Sequence, residues 1–152
     1  MPALDTTNFG TITFTAESVF DFPQGVPGFE NRRQFVPVQN PQTAPILFLQ
    51  SVEDASLCFT TIPVMVLDPR YRLRMVEPDL EVIGCPAGRQ PRIGDDVLCL
   101  AVLAIRESGP TANLLAPVVV NVRNLKAVQA VALESGYSHQ HVLAPQEEAV
   151  CS

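Results

Sequence analysis

The chain has 152 residues, of which 16 are acidic and 10 basic, so its formal net charge is −6. A chain of this length can bury about two-thirds of its unfolded surface, and we expect a single domain over residues 1–152. The longest apolar run, 97–105, is far shorter than the roughly 20 residues of a membrane-spanning helix. Residues 1–10 lack the parts of a signal peptide. We therefore expect a cytoplasmic protein without a membrane span.

The net charge also limits the possible partners. Affinity for nucleic acid comes mainly from basic side chains, so direct binding to RNA or DNA is not expected. A basic protein would suit this chain better, because opposite charges steer association. The sequence does not fix the oligomeric state, and we expect a monomer.

Short alternating runs separated by turn residues, among them 14 prolines, predict a chain of many strands. The predicted strands, in chain order, are 11–15, 19–22, 34–38, 46–50, 57–62, 71–76, 97–105, 118–122 and 128–133. Pro37 removes a ladder donor and indicates an edge strand. The run 97–105 is apolar throughout, which indicates a central strand covered on both faces.

One short helix is predicted over 77–83, where Pro78 and early carboxylates suit a helix start and Gly84 can end it. The resulting fold class is all-β: a small antiparallel bent sheet that closes into a barrel-like domain, with one short helix. The acidic tail, 144–152, is expected to fray.

No catalytic or metal-binding set stands out. His139 and His141 form an HxH pair without a third ligand nearby, and the adjacent carboxylate pairs suit solvated turns. The four cysteines form no CxxC pair and should be free thiols, with those at 58 and 99 in the core. We therefore expect no enzymatic activity, bound metal, disulfide or cofactor.

Four carboxamides stand within or beside apolar strands: Gln50, Asn113, Asn121 and Gln129. A buried amide must satisfy several hydrogen bonds, so it usually pins irregular backbone. Structural pinning is one interpretation and contact with a ligand or partner is the other. The sequence leaves both open.

Two strings are distinctive, FPQGVPGFE at 22–30 and TANLLAPVVVN at 111–121. They occur in line with Leu49-Gln50-Ser51, Gln129 and Ser135-Gly136-Tyr137. Together, over about residues 10–143, these segments resemble the flagellar assembly factor FliW family.

The resemblance implies a mostly β, barrel-like protein without catalytic activity and with two alternating partners. One is the RNA-binding translational regulator CsrA, which such proteins sequester so that repression of flagellin messenger RNA is relieved. The other is flagellin itself. The absence of a catalytic set and the acidic charge agree with this reading. A small-molecule-binding β-barrel, with a cavity lined by amides, remains the alternative.

A face for the basic regulator is predicted where negative charge is concentrated. This face comprises Glu77, Asp79 and Glu81 on the short helix, joined by Asp95 and Asp96 across the neighbouring loop. The same carboxylates also suit a helix N-terminus and a solvated surface, so that interpretation stays open beside the first.

Overall fold

The computed structural model describes residues 2–107, 109–130, 137–138 and 141–143. The strands are β1 Ala3–Thr6, β2 Gly10–Thr13, β3 Phe20–Asp21, β4 Gln34–Gln39, β5 Leu47–Ser51, β6 Cys58–Pro63, β7 Val97–Arg106, β8 Gly109–Ala112, β9 Val118–Asn121, β10 Ala127–Gln129 and β11 His141–Val142. The described helices are a 3₁₀ turn at Ala16–Ser18 and two short α-helices, α1 Val64–Leu67 and α2 Glu77–Val82. The prediction of a mostly β chain with little helix is confirmed.

Nine strands form one antiparallel sheet in the order β10-β9-β7-β6-β5-β4-β3, with β8 paired to β7 and β11 paired to β8. β1 and β2 form a separate hairpin. The predicted closure into a barrel differs from this arrangement, since the described residues form open sheets. Among the described residues, the two ends of the sheet meet at one isolated bridge between Asp21 of β3 and Lys126, which precedes β10; there the Asp21 N–H donates to the Leu125 carbonyl at 2.9 Å. β3 and β10 are too short for a longer ladder.

β7 is the centre of the fold, as its unbroken apolar sequence predicts. β9 pairs with residues 97–100 of β7, β6 with residues 100–102 and β8 with residues 103–106. Val97, Cys99 and Ala101 belong to one core cluster, whereas Leu100 belongs to a second cluster with Phe22 and Phe35. Successive side chains of a strand point to opposite faces, so β7 is covered on both sides.

The prediction of a strand over 71–76 is wrong in one respect. The alternation of buried and exposed side chains is present, but the segment pairs with no strand among the described residues. Side chains replace the missing ladder. Gln90 accepts from the Met75 N–H at 2.7 Å and donates to the Met75 carbonyl at 3.0 Å, and the Tyr137 hydroxyl accepts from the Arg72 N–H at 2.9 Å.

The remaining differences are local. The strands β1, β8 and β11 were not predicted, and neither was α1, which directly follows β6. The predicted strand 128–133 lies partly outside the described residues, which stop at residue 130 there, and the predicted tail 144–152 lies wholly outside them. In the part of the chain that the structure describes, no helix has the length and apolar character needed to cross a bilayer.

Candidate functional site

The segment 22–30 folds into a compact turn beside the sheet. Phe22 and Val26 are buried and anchor it in the core. The Gly25 N–H donates to the Phe22 carbonyl at 2.8 Å, and the Phe29 N–H donates to the Val26 carbonyl at 2.6 Å. Gly25 has a φ of +71°, and a Cβ at this position would lie 2.6 Å from the Cα of Glu30. Only glycine therefore fits this crossing of the chain.

α2 is held against the sheet by its buried side. Leu80 is fully buried, and Ile83, which follows the helix, is buried as well. The helix has no side-chain cap at its N-terminus, but Glu77 and Asp79 lie in its first turn, where carboxylates interact favourably with the helix dipole. Gly84, with a φ of +75°, ends it as predicted.

A surface depression of about 110 Å³ lies between the turn and the helix. Its lining residues are Gln24, Gly25, Pro27, Glu30, Asp79, Val128 and Gln129. Two carboxylates from distant parts of the sequence thus share one small concavity, together with two carboxamides. Because carboxylates accept hydrogen bonds and do not donate them when ionised, this site favours cationic groups such as lysine or arginine side chains.

The backbone of the turn holds the Glu30 side chain in place. One of its carboxylate oxygens accepts the Gly28 N–H at 3.0 Å, and this hydrogen bond is the main reason why its pKa lies below the ordinary value of 4.5. Glu30 therefore carries its negative charge at neutral pH. Beside it, Phe29 is 43% exposed and packs edge-to-face against Phe59 at 5.6 Å, which places an apolar contact next to the acidic depression.

The structure places the predicted acidic residues in two groups. Glu77 and Glu81 are exposed on α2, and Asp79 turns from the same helix into the depression. Asp96 belongs elsewhere, because its carboxylate accepts the Arg92 N–H at 2.8 Å and pairs with the Arg89 guanidinium at 3.3 Å. The hydrogen bond from Arg92 is the first cause of its lowered pKa.

Asp96 closes a loop and is surrounded by arginines. It lines a different pocket, which also contains Cys85 and Arg123. Its neighbour Asp95 is exposed. The geometry therefore does not join Asp96 to the acidic depression, and its role as a partner contact stays a prediction.

Gln50 is fully buried and holds the loop that follows β5. Its Nε2 lies within hydrogen-bond distance of three carbonyl oxygens, those of Ser51 at 3.1 Å, Asp54 at 3.2 Å and Ala55 at 3.3 Å. Its Oε1 has no hydrogen-bond partner in the described part of the chain. These contacts favour the pinning interpretation for Gln50.

Asn113 and Gln129 hold the loop inside the second motif. Asn113 Oδ1 accepts the Ala116 N–H at 2.9 Å, and Gln129 Nε2 donates to the Ala116 carbonyl at 3.0 Å. The Tyr71 hydroxyl donates to the Leu114 carbonyl at 2.7 Å. Gln129 has a second possible role, because it also lines the acidic depression.

Asn121 joins β9 to the end of α2. Its Nδ2 donates to the Ile83 carbonyl at 2.7 Å, and its Oδ1 accepts the Arg123 N–H at 2.9 Å. The amides at 50, 113 and 121 therefore bind three different loops. The pocket beside Asn121 is lined by neither of the other two, so this pocket is not the shared amide-lined cavity of the small-molecule alternative.

The described residues offer no group of three histidine, cysteine or carboxylate side chains that could hold a metal ion. The described cysteines, at 58, 85 and 99, are free. Cys99 is buried, and Cys58 is half-buried rather than fully so. Burial raises the pKa of the Cys58 thiol to about 11 and that of Cys99 to about 12, so both are poor nucleophiles at neutral pH. His139 and Cys151 lie outside the described residues.

Sequence reasoning did not select Glu30 or Gln24 as site residues. Both stand in the FPQGVPGFE string, which was the available signal. Both residues, however, lie 49 or more residues before Asp79 in the chain. Their proximity to Asp79 depends on how the turn packs against α2.

The fold and site define a small, mostly β protein with an acidic surface depression built from a glycine-dependent turn and a short helix. The family model described as FliW protein matches residues 3–143, and the chain belongs to this family. A solved structure titled as the crystal structure of the flagellar assembly factor FliW superposes with a TM-score of 0.81 and 30% identity, covering 95% of this chain and 99% of its own.

Curated relatives extend over nearly the whole chain. The flagellar assembly factor FliW of Pseudothermotoga lettingae is 31% identical over 147 residues, covering 93% of this chain and 88% of its own. That of Bacillus pumilus is 30% identical over 142 residues, covering 92% of this chain and 94% of its own. That of Desulfitobacterium hafniense is 29% identical over 146 residues, with 96% and 93% covered.

Proposed function

We propose that this protein acts in flagellar assembly as a non-enzymatic regulator that binds and sequesters a CsrA-type translational repressor. Sequestration relieves repression of flagellin messenger RNA. Flagellin is the alternate partner, so that free flagellin releases the repressor and limits its own synthesis. Membership of the FliW family supports the role in flagellar assembly.

The acidic depression is the observation that carries the choice of a basic partner. Glu30 and Asp79 line it, and Glu77 and Glu81 are exposed on the helix that carries Asp79, in a chain of net charge −6. An RNA-binding regulator needs basic side chains to hold phosphate groups. The two surfaces are therefore complementary in charge, which increases the rate of encounter.

The test reverses charge on α2. Glu77 and Glu81 are exposed, and their carboxylates make no hydrogen bond or ion pair within the described residues, so their replacement should leave the fold intact. We expect Glu77→Lys with Glu81→Lys to slow association with a purified CsrA-type regulator about tenfold at low salt, and to weaken the salt dependence of the rate. Stopped-flow fluorescence measures the rate, and a thermal melt checks stability.

The matched control is Glu17→Lys with Glu107→Lys, which changes two exposed carboxylates elsewhere. Both double variants raise the net charge from −6 to −2, so a general charge effect would slow both equally. Equal slowing, or an unchanged rate in the α2 variant, would contradict the assignment of the face. For the alternate partner, monomeric flagellin added to the preformed complex should displace the regulator, and failure to do so would contradict the exchange.

A further inference from the structure

A second concave surface has the opposite charge. It is an open groove of about 460 Å³ between the segment 71–76 and the loop 90–93. Arg72, Arg74 and Arg92 line it. We call it the arginine groove. None of the described residues that line it is acidic, although acidic residues outnumber basic ones in the whole chain.

Two of the three charges in the arginine groove have no acidic partner within the described part of the protein, and the third, that of Arg92, lies near the Asp96 carboxylate. Arg72, Arg74 and Arg92 are exposed, and no described carboxylate forms an ion pair with any of them. By contrast, Arg32 pairs with Asp54 and Arg89 pairs with Asp96. The guanidinium groups of Arg72 and Arg74 are therefore left available to an anionic ligand, and Arg92 adds positive charge that Asp96 offsets in part.

The groove also offers apolar contacts and backbone hydrogen bonds. Met65, 40% exposed, lines it together with Leu73 and Ile93. The main-chain groups of Leu73 and Arg74 make no hydrogen bond within the described residues, although they lie in a segment with the alternation of a strand. An extended peptide can use such groups as a neighbouring strand would.

We infer that the arginine groove binds an acidic, extended peptide segment of a protein partner, in which carboxylates alternate with apolar side chains. Guanidinium groups recognise carboxylates in a planar, bidentate geometry, and the apolar contacts would hold the intervening residues. The net charge of −6 disfavours a nucleic acid strand as the occupant. This surface differs from the acidic depression in residues and in sign, so it requires a different partner segment from the one proposed for the basic regulator.

Fluorescence anisotropy with a labelled ten-residue peptide that alternates glutamate and leucine tests the inference. We expect saturable binding to the wild-type protein below about 1 mM, weakening as salt rises from about 50 to about 300 mM. Arg72→Gln with Arg74→Gln should weaken binding about tenfold or more. Met65→Ser should weaken it by a smaller factor because it removes only an apolar contact.

The control pair is Arg123→Gln with Lys126→Gln, which removes the same charge from the exposed β9–β10 connection. It should change binding less than twofold. A matched glutamine–leucine peptide should bind at least tenfold more weakly than the acidic one. The inference is overturned if the acidic peptide does not bind, if the two arginine variants and the control pair lose equally, or if a ten-nucleotide single-stranded RNA binds more tightly than the peptide.

The two surfaces can fail independently. The Arg72 and Arg74 variants should associate with the CsrA-type regulator at the wild-type rate, whereas the Glu77 and Glu81 variants should keep their affinity for the acidic peptide within a factor of two. Loss of both interactions in either variant would show that the two surfaces are not separate.

Discussion

Replacing Asn121 tests whether buried amides hold this fold together. Asn121 is 6% exposed and makes two hydrogen bonds to backbone groups that no ladder satisfies, the Ile83 carbonyl and the Arg123 N–H. Leucine has the same number and branching of side-chain heavy atoms, with bulkier terminal groups, but can neither donate nor accept. Asn121→Leu therefore removes both hydrogen bonds without leaving a large cavity.

The expected loss follows from the number of hydrogen bonds. A typical intramolecular hydrogen bond contributes about 0.5–1.5 kcal/mol net, so two predict a loss of about 1–3 kcal/mol. The Ile83 carbonyl keeps one donor, because Asn124 Nδ2 lies 3.1 Å from it. This second donor places the expected loss in the lower half of that range.

Urea unfolding followed by circular dichroism measures the effect. We expect a lower midpoint with an unchanged slope, which would indicate loss of stability without a change in the surface exposed on unfolding. Asn124→Leu is the matched comparison, since Asn124 donates to the same carbonyl and accepts the Lys126 N–H at 2.9 Å, but is exposed. It should lose less than Asn121→Leu, because water can replace its hydrogen bonds.

The double variant sharpens the test. With both asparagines replaced, the Ile83 carbonyl loses both side-chain donors, so the combined loss should exceed the sum of the single losses by about 0.5–1 kcal/mol. An unfolding midpoint equal to wild type in Asn121→Leu would refute the pinning argument. If that variant were also unable to bind its partners, Asn121 would be a contact residue instead.

Two further predictions concern the turn and the thiols. Gly25→Ala should lower the melting temperature more than Gly28→Ala. Both positions carry a positive φ, worth about 1–2 kcal/mol of strain, but only at Gly25 would the added Cβ also overlap the backbone of Glu30. Equal losses of stability would show that the close crossing does not matter. At pH 8 iodoacetamide should label Cys99 and Cys58 at least about tenfold more slowly in the folded protein than in urea, because burial raises the pKa of both thiols. Site-resolved mass spectrometry measures the two rates, and equal rates in the folded and unfolded states would contradict this prediction.

The sheet was predictable where a strand's neighbours leave a simple pattern. The unbroken apolar run of β7 indicated a central strand, and β7 is indeed paired on both sides along part of its length. The short polar loop between β5 and β6 is typical of two antiparallel neighbours, and these two strands pair in the structure. In both cases the information lies within the strand and its adjoining turn.

The segment 71–76 shows the limit of such patterns. Its alternation of buried and exposed residues has the period of a strand, but alternation reports which side chains are buried and not what satisfies the backbone. Here Gln90 and Tyr137 supply the hydrogen bonds. No local signal distinguishes a strand partner from two side chains that lie 15 and 65 residues away.

The candidate site was partly predictable for the same reason. The helix follows from Pro78 and the early acidic residues, whereas the position of Asp79 beside Glu30 depends on tertiary packing. Asp96 is the converse case. Its position next to Asp95 indicated an acidic patch, but the loop folds so that the Arg92 N–H and the Arg89 guanidinium bind its carboxylate.

The two charged surfaces arise from consecutive stretches of the chain. In 71–76, Tyr71, Leu73 and Met75 are buried, and the alternation therefore forces the intervening arginines outward. The chain then enters α2, where Leu80 faces the core and Glu77 and Glu81 are exposed. Charge and packing thus lie on opposite sides of the same segments. Each set of exposed charges can be reversed without removing a buried contact, so experiments on either surface can separate a loss of binding from a loss of folding.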